Sequence, residues 1–232
     1  MAKVFIGVGH GGKDSGAAGH LVEKEVNLVE ALACRDFLEA HGVQVLMSRT
    51  CDEDDPLTDE IKECNAFSPD LAIDVHNNAG GGDGFECFYH FKGGTSLTVA
   101  QNIETEVKAI GQNSRGCKTR MNSSGRDYYG FIRETKCPAV IVEGCFVDNA
   151  TDAKIADTVE KQKAFGVAYA KGILKTLGIA INENIGPNIQ QNSSNSEAKY
   201  YVQVGAYSQK ENAEKQLQAK DAGFPDAFIK QN

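Results

Sequence analysis

The stretch KVFIGVGHGG, residues 3–12, is where the fold is read. Six residues rich in apolar and β-branched side chains run straight into a glycine cluster, which marks a buried strand ending in a sharp turn. After it, EKEVNLVEALACRDFLEA (23–40) places Val26, Val29, Ala33 and Phe37 in the three-and-four rhythm of a helix, with Gly42 as its stop. The strand signal returns in VQVLMS (43–48), LAIDV (71–75) and AVIV (139–142), and the helical one in 57–66, 96–111 and 153–177. Parallel strands need crossovers, and helices supply them. The sequence therefore predicts an α/β protein with three layers, a mostly parallel sheet carrying helices on both faces. GFECFYHF (84–91) alternates instead, as a strand nearer an edge does.

The chain has 232 residues, 41% of them hydrophobic, enough to bury a full core. A formal charge of -8 excludes nucleic acid as the main partner, since that affinity rests on Lys and Arg neutralising phosphates. No run approaches the roughly 20 apolar residues of a membrane helix, so no membrane insertion is expected. Nor do the first residues read as a leader, because only six residues separate Lys3 from His10. The seven cysteines are odd in number and lack the C-x-x-C spacing of a thiolate site, so they read as reduced thiols.

His10 directly follows the first strand, among glycines that leave room beside its ring, and His76 stands in the same relation to LAIDV. In an open α/β sheet, ligands gather outside the carboxyl ends of strands, so the two imidazoles are candidates to converge. A third ligand is expected to be a carboxylate, and Glu23 opens the first helix. Two His and one Glu with an open fourth position form a catalytic zinc set, whose ion polarises a carbonyl and acidifies water. Glu143, after AVIV, is the candidate general base. His20 and Glu25 are the rivals for the third ligand; Glu25, two residues along the helix, points elsewhere.

The runs IGVGHGGKDSGAAG, EKEVNL, LAIDVHNNA, SRGCK and PAVIVEGCFVDN, in this order, resemble the zinc-dependent N-acetylmuramoyl-L-alanine amidases of autolysins, sporulation cell-wall hydrolases and phage endolysins. The resemblance covers residues 3–177 and implies that His10, Glu23 and His76 hold Zn2+ while Glu143 is catalytic. It further implies peptidoglycan as substrate, cleaved between the glycan and the stem peptide. The alternatives are a zinc peptidase acting within stem peptides and a non-catalytic wall-binding protein. Three positions depart from the family's pattern: Asp74 replaces a usual Ser, Asn77 a small residue, and Glu60 a usual Arg. Without a leader, the expected route is synthesis in the cytoplasm and action on the cell wall after release through a membrane lesion or non-classical export.

The expected organisation is a catalytic domain over 1–178, a linker rich in Asn, Gln and Ser over 179–198, and a strand–helix module over 199–232. KYYVQVGAYSQKENAEKQLQAKDAGFPDAFIK looks like the first half of a SPOR domain, a module that binds peptidoglycan stripped of stem peptides. So short a segment cannot bury its own apolar face, so it is expected to form a homodimer through residues 199–232.

Overall fold

The computed structural model describes residues 1–183; the expectations for the linker beyond 183 and for the module at 199–232 lie outside the described residues. Alternating strands and helices run in the order β1 (Lys3–Val8), α1 (Glu23–Ala40), β2 (Gln44–Met47), α2 (Leu57–Phe67), β3 (Leu71–Asn78) and β4 (Phe85–Tyr89). They continue with α3 (Thr95–Ala109), β5 (Ser114–Lys118), α4 (Gly130–Glu134), β6 (Ala139–Phe146) and α5 (Val159–Leu177). Among the described residues the strands form one six-stranded sheet in the order β2-β1-β3-β6-β4-β5. Every neighbouring pair is parallel except β4 and β6, so the sheet is mixed, with β4 and β5 running against the rest. No helix of the described residues is long and apolar enough to cross a membrane.

The period of two along each strand sorts its side chains between two layers. Val4, Ile6, Val8, Leu71, Ile73, Val75, Val140 and Val142 turn to one face, where they pack with Phe37 and Leu38 of α1, Ile103 of α3, and Phe165 and Ile173 of α5. This layer is close-packed, and truncating a side chain such as Ile73 to Ala would cost about 2–5 kcal/mol. Phe5, Ala72, Ala139 and Ile141 turn to the other face, under Cys64 of α2 and Phe131 and Ile132 of α4.

The structure corrects several boundaries. Strands β3 and β6 run to Asn78 and Phe146, so His76 and Glu143 lie within strands rather than after them. Periodic apolar character stops short because polar residues here face a cleft. Strand β4 lies second from the edge, covered by β5, which apolar character does not reveal because SRGCK is mostly polar and only half-buried. The span 153–177 breaks into a 3-10 turn, Asp152–Ile155, and α5, whose start is capped by Thr158 Oγ1 accepting from the Lys161 N–H. Val29 lies half-exposed; α1 buries Glu30 and Ala31 on that part of its face instead. No disulfide forms, as all seven cysteines are free thiols.

Candidate active site

The helices α2 and α4 cover only part of their face of the sheet. Toward the carboxyl ends of β3 and β6 the same face turns polar, with Asp74 and His76 on β3 following Ala72, and Glu143 on β6 following Ile141. His76 pairs in register with Glu143, and Glu143 with Glu86 of β4, so the three side chains form a row across the sheet. The His76 ring lies directly over Gly9, where a Cβ would come within 2.2 Å of it. His10 reaches the same place from the loop after β1, with a φ of 63°, a conformation that non-glycine residues seldom adopt.

Glu23 ties the two imidazoles together. Its Oε1 lies 3.2 Å from His10 Nε2 and 3.1 Å from His76 Nδ1, while its Oε2 accepts from the Ala17 N–H at 2.8 Å. Three potential ligand atoms, one from each residue, lie within 4.8 Å of one another. Burial works to raise the Glu23 pKa, but the hydrogen bonds from His10 and His76 outweigh it and hold the carboxyl well below its ordinary range. Gly16, at a φ of 62°, is needed here because a Cβ would sit 2.6 Å from both Glu23 and the His10 ring.

Each imidazole has a second carboxylate behind it. Asp14 Oδ2 lies 2.9 Å from His10 Nδ1, and Asp74 Oδ2 lies 3.3 Å from His76 Nε2. Such partners fix the ring orientation and the tautomer of a ligating histidine. Among the described residues Asp74 Oδ1 and Glu60 Oε1 are buried with no hydrogen-bond partner, and both crowd Gly7, where a Cβ would meet them at 2.9 and 1.8 Å. Burial, and then the charge of Asp74, hold the Glu60 carboxyl well above its usual range. Burial and the neighbouring carboxylate thus both work against ionisation of Glu60.

Burial pushes the Glu143 carboxyl up to about 7; His76 opposes the shift, and Glu23, Asp74 and Glu86 add to it. A carboxyl that changes charge near neutrality can both take and give a proton. Glu86 carries the opposite character: Arg115 and Lys118 both pair with it, and they outweigh burial to keep its pKa low.

All four residues singled out from the sequence, His10, Glu23, His76 and Glu143, meet on this face. Glu25 is exposed, as is His20, and neither joins the group of potential ligand atoms. Three contributors escaped the sequence reading. Asp14 bonds to His10 four residues away, a spacing that carries a signal once His10 is placed. Glu86 sits in an alternating strand like any outward polar residue. Arg49 is 2% exposed and donates to the carbonyls of Val8, Gly9, Lys24 and Cys51, clamping the His10 loop to the start of α1. An arginine after a strand gives no local hint of that clamp.

Fold and site together define a class: an α/β enzyme with a buried carboxyl, Glu143, in register beside a cluster of two histidines and one glutamate. Residues 4–175 match the family model described as N-acetylmuramoyl-L-alanine amidase, and the chain belongs to that family. It is 37% identical to the N-acetylmuramoyl-L-alanine amidase CwlM of Bacillus licheniformis, over 99% of this chain and 85% of that one. It is 34% identical to the sporulation-specific N-acetylmuramoyl-L-alanine amidase of Bacillus subtilis strain 168, over 99% and 84%. Among solved structures, the catalytic domain of the amidase CwlV from Bacillus (Paenibacillus) polymyxa var. colistinus superposes with a TM-score of 0.70 at 27% identity, over 78% of this chain and all of that one.

Proposed function

We propose that this protein hydrolyses the amide bond between the N-acetylmuramoyl group and the L-alanine of peptidoglycan, with zinc held by His10, Glu23 and His76. The observation that carries the reading is the gathering of two imidazoles and one ionised carboxylate within 4.8 Å, with Glu143 in register beside His76. That donor set suits zinc better than an all-oxygen or all-thiolate set would. When bound in such an open set, zinc polarises the scissile carbonyl and acidifies water.

The residues of the chain do the rest. Asp14 and Asp74 keep the two rings turned toward Glu23. Glu143, once ionised, takes a proton from the attacking water and delivers it to the departing alanine nitrogen, so that amide and water become a carboxylic acid and a free amine. Its pKa near 7 suits both halves of that exchange at neutral pH.

Digestion of purified peptidoglycan by the zinc-loaded protein tests this. New amino-terminal L-alanine and intact glycan are expected, with about one zinc per chain by elemental analysis. New termini inside the peptide, or new reducing sugar ends, would overturn it.

A further inference from the structure

The row of side chains across the sheet does not stop at Glu86. In the next strand, β5, Arg115 and Lys118 both reach back to Glu86, which also accepts from Asn78 Nδ2 at 3.3 Å. Neutralising one buried carboxylate needs only one cation, so the group keeps a net positive charge. Both heads remain open to solvent, with side-chain exposures of 44% and 36%. Residues 114–120, SRGCKTR, hold three cations and no acid in a chain of net charge -8. This is a local reversal of sign, and it borders the cleft.

The guanidinium of Arg115 is posed for a ligand. It spends Nε on Glu86 and lies over the Phe146 ring at 5.3 Å, which sets its plane. Among the described residues its two terminal nitrogens have no hydrogen-bond partner. Two parallel N–H groups on a fixed plane match a carboxylate. The register puts this group two strands from Glu143, and neighbouring strands are about 4.8 Å apart, so the separation is about 10 Å. An extended peptide advances about 3.3–3.6 Å per residue, so it covers that distance in about three residues.

We infer that Arg115 and Lys118 form a subsite for a carboxylate carried by the stem peptide two or three residues beyond the scissile amide. The inference rests on the amidase reading above. Arg115 binds the carboxylate through its terminal nitrogens, Lys118 adds a point charge, and Glu86 holds the two cations in place. The subsite selects stem peptides whose carboxyl groups are free over those in which they are amidated.

The test compares muramyl tripeptides of one length, with the second and third residues bearing either free carboxylates or carboxamides. Wild-type protein is expected to favour the free acid, and Arg115→Gln to lower that ratio of kcat/KM about tenfold, with the loss in KM, as befits one charge-assisted contact. Lys118→Gln lowers it less, and Arg115→Lys restores part of it. Each Gln variant leaves one cation on Glu86, and circular dichroism checks the fold. Calorimetric binding of the same peptides to the Glu143→Gln protein gives a readout that needs no turnover. A preference for the free acid in binding, with no cleavage by the wild type, would remove the amidase reading and keep the subsite. Equal handling of acid and amide by the wild type, or an unchanged ratio in both Gln variants, would overturn the subsite.

Discussion

Two carboxyl groups on opposite faces of the sheet are raised by the same force and do different things. Glu143 turns to the open face and is pushed to about 7; Glu30, on α1, is sealed beneath the other face and is pushed to about 8, in each case chiefly by burial. Glu30 Oε2 accepts from the Tyr169 hydroxyl at 3.2 Å and from Asn77 Nδ2 at 3.3 Å, and Asn77 also joins Asn27 and the Cys145 N–H. The successive residues His76 and Asn77 thus serve the two faces in turn: one joins Glu23 and Glu143 on the open face, the other pins α1 and α5 to the sheet. A raised pKa therefore does not by itself mark an acid–base residue. Access to a substrate separates the two.

The comparison can be broken first at the imidazoles. His10→Ala and His76→Ala should each abolish hydrolysis and zinc content by elemental analysis, whereas Glu30→Gln should keep both. Full zinc occupancy in the two histidine variants would mean that the open face does not hold the metal. Next in size is Glu143→Gln, expected to retain zinc and fold while turnover falls about 10²- to 10⁴-fold. Comparable loss in Glu30→Gln, without unfolding, would erase the distinction between the faces.

A smaller effect concerns stability. The Glu30 carboxyl, ordinarily near 4.5, sits at about 8 in the folded chain, so the folded state binds a proton that the unfolded state has released across that window. Stability from this group is fully present below 4.5 and is lost as pH rises through 8, on the order of a few kcal/mol. Glu30→Gln carries no such proton, so its melting temperature relative to wild type should climb steadily from pH 5 to pH 8. A constant difference over that range would show that Glu30 is not buried as a neutral acid.

The α/β layering was legible because Val4, Ile6, Ile73 and Val142 repeat the strand pattern and the helices between them repeat theirs. That His10, Glu23, His76 and Glu143 come together was legible because each stands where apolar periodicity meets glycine or a polar run. What escaped notice depends on long-range geometry. Arg49 donates to carbonyls up to 41 residues away, and Arg115 meets Glu86 on the neighbouring strand, 29 residues away. Asn77 was visible only as an oddity of residue type. Its reason is the buried Asn27 and Glu30, which a strict apolar stripe on α1 did not include.

His10 holds its place at a cost. A left-handed backbone at a residue with a Cβ costs about 1–2 kcal/mol, and the Arg49 clamp and the Asp14 contact hold it there. Removing the imidazole without relieving the backbone and removing it while relieving the backbone are thus different experiments. His10→Gly should melt above His10→Ala, by the equivalent of about 1 kcal/mol once the greater freedom of unfolded glycine is subtracted. Both variants would be inactive. The left-handed backbone at this position suits glycine better than any residue with a Cβ, so a histidine there lowers the stability of the fold.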